Sequence, residues 1–294
     1  MTLNNPLLKF YENGCSLCGS RCYADRRVKI GLCNARDSLR IASAALHFGE
    51  EPPISGTRGS GTIFMSHCSM HCTYCQNYPI SQMGVGNITD SSALSAKMIE
   101  LQNKNAQNIN FVTPTHYSFH IFNAVNNARD KGLSLPIVWN TSSYENPETV
   151  EYINEIADIY LADIRYSNDR DALEYSGVNS YTEIVFRNIK QFFKSKSHLK
   201  IDENGCAVRG LLIRVLLLPG KVNECKAILD FISSEIGNKT YVSLMSQYVP
   251  YYKAHEHPEL KRRVTKEEYE RVIEHAEKLN LENAFIQEIA YTEE

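Results

Sequence analysis

Short apolar runs alternate with amphipathic stretches over most of the chain. GTIFM (61–65), INFV (109–112), PIVWN (136–140), DIYLA (158–162), GLLIRVLLL (210–218) and YVSLM (241–245) are each bounded by turn or polar residues. Their length and setting predict buried strands. Helical patterns lie between them, at 90–105, about 118–131, about 147–156, 182–195 and 223–236. In the first of these Leu94, Met98 and Leu101 share a face, behind Asp90 or Ser91 as cap. A last helix opens with Thr265 and Glu268 in capping-box spacing. Six strands alternating with helices predict repeated βα units around a parallel sheet. A count of six points to an α/β fold of the partial (β/α)6 barrel type rather than a closed eightfold barrel. An open doubly wound sheet is the alternative. In either, ligand chemistry is expected at the carboxyl ends of the strands.

The two ends of the chain read differently. Residues 1–58 are rich in Cys, Gly and Arg and lack clear periodicity, which suggests a small metal-braced lobe. The turn-rich GEEPPISGTRGSG (49–61) leads from it into a main domain spanning 59–250. Residues 251–294 are expected to form a helix-and-strand extension packing on the barrel. The 294 residues, 43% hydrophobic and 22% charged, are ample for a globular core. A net charge of −3 gives no electrostatic reason for a nucleic-acid or membrane partner. The most apolar run, GLLIRVLLLPG, is short and carries Arg214, so it does not span a bilayer. The opening MTLNNPLLKFYENG has no cationic region ahead of an apolar one, so no secretory signal is read there.

The nine cysteines change the picture from fold to chemistry. Their odd number and their clustering argue against a disulfide framework and for a reducing, cytoplasmic setting with bound metal. Cys206 and Cys225 stand alone and read as packing residues. Cys15, Cys18, Cys22 and Cys33 supply four thiols, enough for a closed structural zinc site or for an auxiliary iron–sulfur cluster. Cys68, Cys72 and Cys75 supply three, in the segment SHCSMHCTYCQN that begins just after the first expected strand. Three thiolates on a [4Fe–4S] cluster leave one iron open for substrate or cofactor. A zinc knuckle completed by His67 or His71 is the other reading.

Cys68-x3-Cys72-x2-Cys75, with Tyr74 before the last cysteine, resembles the signature of the radical SAM superfamily. EEPPISGTRGSGTIF, CTYCQNYPIS, NINFVTPTHY, PIVWNTSSYE, DIYLADIRY, IRVLLLPG and YVSLMSQYVP together resemble the uncharacterised family related to pyruvate formate-lyase activating enzyme. The resemblance runs from about residue 12 to 287. It implies a radical SAM barrel. It also implies an enzyme that reductively cleaves S-adenosylmethionine (SAM) at a [4Fe–4S] cluster on the three cysteines, fed by a one-electron donor such as flavodoxin or ferredoxin. The product, a 5′-deoxyadenosyl radical, would abstract hydrogen from a small molecule or a peptide. Glycyl-radical-enzyme activase action is an alternative, as is a non-catalytic metal-binding or redox-sensing role. Tyr74 and Asn77 are implied beside the cofactor.

Polar residues at the other strand ends complete the expected SAM site. Thr113, Thr115 and His116 stand where related activating enzymes carry a Gly-Gly-Glu-Pro-like segment, which is missing here. Asn140, Thr141 and Ser142 offer neutral donors and acceptors, or simply a capped turn. Asp163 and Arg165 share a side of their strand; related sequences often show Lys at the latter position. Arg214, inside an apolar strand, needs a partner, either the SAM carboxylate or an internal acid. Related sequences tend to have His after it, where this chain has Val215. Gln247 and Tyr248 are further pocket candidates.

Overall fold

The computed structural model describes residues 5–288. Ten strands form one sheet: β1 (Leu39–His47), β2 (Ser60–Met65), β3 (Asn87–Thr89), β4 (Ile109–Val112), β5 (Ile137–Thr141), β6 (Ile159–Ile164), β7 (Lys200–Ile201), β8 (Ala207–Leu216), β9 (Tyr241–Met245) and β10 (Asn283–Ile286). The spatial order is β10-β9-β8-β6-β5-β4-β2-β1-β3, with β7 paired to β8. From β2 to β10 along this path every pairing is parallel; β1 runs antiparallel to both β2 and β3. The open parallel sheet with helices between its strands is the expected partial barrel. All six expected strands are present.

Four strands lie outside the six runs read from the sequence: β1, β3, β7 and β10, the last within the helix-and-strand extension expected at 251–294. β10 adds a seventh parallel strand beside β9. β1 lies within the stretch read as an irregular lobe, so that lobe does not run unbroken to residue 58. The segment LRIASAALH carries Ala and Ser at several positions, and its register with β2 shifts between Ile41 and Ser43. Small residues and a bulge together blur the period of two.

Strand parity builds the interior. On β6, Tyr160, Ala162 and Ile164 join the large core under the helices, while Ile159 and Leu161 face the other way. With Val138, Leu212, Leu199, Ala207 and Ile54 these two form a smaller apolar plug inside the curve of the sheet. Two further residues along the same inner face come Asp163 on β6 and, after Leu212, Arg214 on β8. They are direct neighbours in register, and Ser243 of β9 follows Arg214. The inner face is thus greasy at the amino ends of the strands and polar at the carboxyl ends. On the outer face the helix Tyr181–Lys196 stacks Phe192 on Tyr160 with ring centres 3.9 Å apart.

The Thr265–Glu268 capping box forms as expected, at the head of the helix Lys266–Lys278. The Thr265 hydroxyl accepts from the Glu268 amide at 3.2 Å and the Glu268 carboxylate accepts from the Thr265 amide at 2.9 Å. This helix turns Tyr269, Val272 and Ala276 into the core. Thr265→Ala is expected to cost about 1 kcal/mol of stability, read from the urea midpoint at unchanged m-value.

Candidate metal and cofactor site

The loop from Ser66 to Asn77 is fastened at many points. Ser66 donates its amide to the Arg40 carbonyl (3.0 Å) and its hydroxyl to the Val85 carbonyl (2.8 Å). His67 sits at φ 69° and donates its amide to the Ile80 carbonyl at 3.0 Å. The amides of His71 and Thr73 are taken by the carbonyls of Ser176 and Tyr175. Close return of the chain behind the loop requires Gly86, at φ 147°, where a Cβ would stand 2.3 Å from the Ser66 hydroxyl and 2.6 Å from the Ile41 carbonyl oxygen.

Each of the three sulfurs in this loop has a polar neighbour. The Met70 amide donates to Cys68 Sγ at 3.4 Å, the Ser176 hydroxyl to Cys72 Sγ at 3.0 Å, and the Ser81 hydroxyl lies 3.1 Å from Cys75 Sγ. Such contacts are the outer-shell bonds that steady thiolate ligands. Burial, with the neighbouring Cys72, pushes the Cys68 thiol up to about 12, and Arg165 works against that rise. Left alone, such a thiol stays protonated, and a bound metal would turn it into a thiolate. No three of these sulfurs lie within 4.8 Å of one another. Among the described residues only Glu174, His257 and Glu259 form so tight a group of His, Cys, Asp or Glu ligand atoms. Four ligands around one zinc, at about 2.3 Å each for sulfur, would draw the sulfurs closer than that. The wider spread fits thiolates on separate irons of a cluster.

The three cysteines open onto a cavity of about 670 Å³, a usual size for a small-molecule site. Of the expected residues, Tyr74, Asn77, Thr113, Asn140, Thr141, Ser142, Asp163, Arg165, Arg214, Gln247 and Tyr248 line it. Tyr74 is buried, its hydroxyl 2.7 Å from that of Tyr166, which in turn meets the Ser176 hydroxyl at 2.6 Å. This chain of hydroxyls ends on Cys72. Thr113 holds a left-handed backbone at φ 54°, a strained geometry for a branched residue at the tip of β4. Arg165 donates to Asp163 at 2.5 Å and keeps its Nε buried without a partner. It is the cavity cation closest in influence to the thiols, since it opposes the rise of both Cys68 and Cys75.

Three expectations need correction. Thr115 and His116 do not reach the cavity. They turn into the core, because the short helix Thr115–Tyr117 carries them under the sheet end. Thr115 donates to the fully buried Glu145 at 3.0 Å, a carboxylate that also accepts from Trp139 Nε1 at 3.1 Å and from the Thr141 hydroxyl. Burial raises the Glu145 pKa. Arg214 lines the cavity, yet its guanidinium is taken by protein acids. Glu51 grips it with both oxygens, at 2.8 and 2.6 Å, and Glu50 adds a bond at 2.5 Å. Burial works against ionisation of Glu51, but the Arg214 charge and hydrogen bonds hold it below the usual carboxylate range. Glu50 and Glu51 are the residues that sequence reasoning missed. The signal was two acids in the turn-rich GEEPP segment and a strand arginine in need of a counter-charge.

His116 is 1% exposed and points Nε2 at the Ser66 carbonyl at 2.9 Å. Burial lowers its pKa to about 3, so it stays neutral well into acid. Once unfolded it takes up a proton near 6.5. Below that pH the unfolded chain binds the extra proton, so stability falls as pH drops, by up to about 1.4 kcal/mol per pH unit. Urea midpoints between pH 7 and 5 should show a shallower fall for His116→Gln, whose amide nitrogen can still reach Ser66.

Comparison with known proteins places this geometry. The family model described as a 4Fe-4S single cluster domain matches residues 55–185, which include all three cysteines of the cavity. The uncharacterized protein MJ0674 of Methanocaldococcus jannaschii is 33% identical over 291 residues, covering 96% of this chain and 80% of that protein. Two solved structures share the fold. One is SuiB of Streptococcus suis bound to S-adenosylmethionine, with 13% identity and a TM-score of 0.53 over 75% of this chain and 48% of that one. The other is HydG, a maturase of the [FeFe]-hydrogenase, with 10% identity and a TM-score of 0.51 over 76% and 50%. This chain belongs to the MJ0674 family. It spans about half the length of those two solved chains. At this level of identity SuiB and HydG speak for the shared fold. The three-cysteine loop lies at the carboxyl end of β2, the first parallel strand, with the cavity beside it. Among the described residues no helix is long and apolar enough to cross a membrane.

Proposed function

We propose that this protein is an enzyme that holds a [4Fe–4S] cluster on Cys68, Cys72 and Cys75 and uses it to cleave SAM for hydrogen abstraction from a small molecule or a peptide. One observation carries the reading. Three cysteine sulfurs, spread too widely for zinc, share a polar cavity at the carboxyl ends of the parallel strands. When bound, the cluster and SAM supply one-electron reductive scission of the sulfonium C–S bond, yielding methionine and a 5′-deoxyadenosyl radical.

The chain's own residues bind, orient and shield. Three cysteines leave one side of the cluster free of protein ligands. Ser176, Ser81 and the Met70 amide bond the sulfurs and hold their geometry. Tyr74 offers an aromatic wall beside them, pinned by its bond to Tyr166. Arg165, with its free Nε, is the group placed to meet a carboxylate, a role that Arg214 loses to Glu50 and Glu51. Asn140, Ser142 and Thr113 offer neutral hydrogen-bonding groups to a ribose or an amine. The β9 and β10 ends, through Met245 and Ala284 to Gln287, wall the cavity on the far side. The electron would come from a small one-electron carrier such as flavodoxin or ferredoxin. A peptide substrate has a precedent in SuiB, which was also captured with its precursor peptide SuiA.

The test is spectroscopic. The EPR signal of the anaerobically reduced protein is expected to change when SAM is added, because SAM occupies the open iron. A signal identical with and without saturating SAM would sink this reading.

A further inference from the structure

We propose that Cys15, Cys18, Cys22 and Cys33 hold a second [4Fe–4S] cluster, with Arg26 as its buried counter-cation. Three of the four cysteines are buried and Cys22 is partly so. The chain curls tightly to gather them. Cys15 pairs with Ala24 across a short bridge, and the amide of Tyr23 returns to the Cys15 carbonyl at 2.9 Å. Arg21, Tyr23 and Asn34 all adopt left-handed backbone, at φ 39°, 49° and 62°. Three such residues in so short a segment are costly unless something fixes them. Gly31 sits beside two of the sulfurs, where a Cβ would be in ordinary contact, at 3.5 Å, with those of Cys22 and Cys33.

The spacing of the sulfurs selects the metal. As in the three-cysteine loop, no three of them lie within 4.8 Å of one another. A single zinc with four thiolates at about 2.3 Å would place all the sulfurs closer than that. A cubane takes one thiolate at each iron and holds them farther apart. Four cysteines would leave no iron open, in contrast to the three of the SAM site.

Charge supplies the second observation. Arg26 is 2% exposed, and its donors reach the Arg36 carbonyl (3.2 and 2.6 Å), the His116 carbonyl and Cys15 Sγ at 3.9 Å, but no carboxylate among the described residues. Tyr11 and Tyr117 flank the guanidinium, with ring centres 5.3 and 5.2 Å away. A buried cation without an acid is strongly disfavoured unless other negative charge is near. A four-thiolate cluster brings that charge. Two contacts then tie this site to the SAM site. His116, which accepts from Arg26, reaches Ser66 just before Cys68, and the Leu32 carbonyl beside Cys33 meets His71 Nε2 at 2.6 Å.

The experiment removes the first site. Cys68→Ser/Cys72→Ser/Cys75→Ser, purified and reconstituted without oxygen, is expected to keep roughly four irons per chain and essentially no zinc. Its reduced form should give a [4Fe–4S] EPR signal that SAM leaves unchanged. One zinc per chain, or no metal, would overturn the proposal while leaving the SAM-site reading intact. Should the triple variant not fold, the wild type decides. About eight irons support the proposal, and about four, with or without one zinc, refute it. Arg26→Gln should further move the midpoint potential of the retained cluster to a more negative value, with Arg26→Lys restoring it; no shift would remove Arg26 from the account.

Discussion

Cys72→Ala is expected to strip the iron of the SAM site, about four atoms per chain, and to abolish SAM cleavage outright. The loss follows from geometry. Cys72 is the middle ligand of the loop and the end of the hydroxyl chain from Tyr74 through Tyr166 and Ser176. Outside the loop the flanking cysteines in sequence are Cys33, given to the amino-terminal set, and Cys206. Ser176→Ala gives the graded counterpart. It removes one hydrogen bond to the Cys72 sulfur, so the cluster should assemble but sit at a more negative potential. Iron analysis and a redox titration separate the two outcomes.

Arg214→Met is expected to destabilise the fold by about 3–5 kcal/mol, because it strands two buried carboxylates. The Glu50 and Glu51 side chains are 7% and 6% exposed where they meet Arg214. Asp163 lies beside the same arginine in register and would add to the repulsion. Adding Glu50→Gln and Glu51→Gln to Arg214→Met should recover most of the loss, since the stranded charge is then gone. Urea unfolding of the single and triple variants reads both effects. Equal destabilisation of the two would show that packing, not charge, dominates at this position.

Much of the fold was legible because the parallel strands are buried on both faces and so read as uninterrupted apolar runs. The exceptions share a cause. β1 pairs antiparallel near a sheet edge and mixes Ala and Ser into its run, which leaves little period to detect. β10 (Asn283–Ile286) is a four-residue edge strand with no fully buried side chain. At the site, the cysteine spacing was readable because ligand order is local in sequence. Strand-end residues such as Asp163 and Arg165 were readable from parity. The partner of Arg214 was not, since Glu50 and Glu51 arrive from 163 residues or more away in the chain. Thr115 and His116 misled for a related reason. Their polarity suggested ligand contact, but a buried acid and a buried carbonyl already use it.

The central claim is that three cysteines keep one iron for SAM. The most direct measurement is the yield of 5′-deoxyadenosine from anaerobically reconstituted protein given SAM and a strong one-electron reductant, with Cys72→Ala alongside. The account predicts product from the wild type and none from the variant. Zinc rather than iron at Cys68, Cys72 and Cys75, with no 5′-deoxyadenosine from either protein, would contradict it.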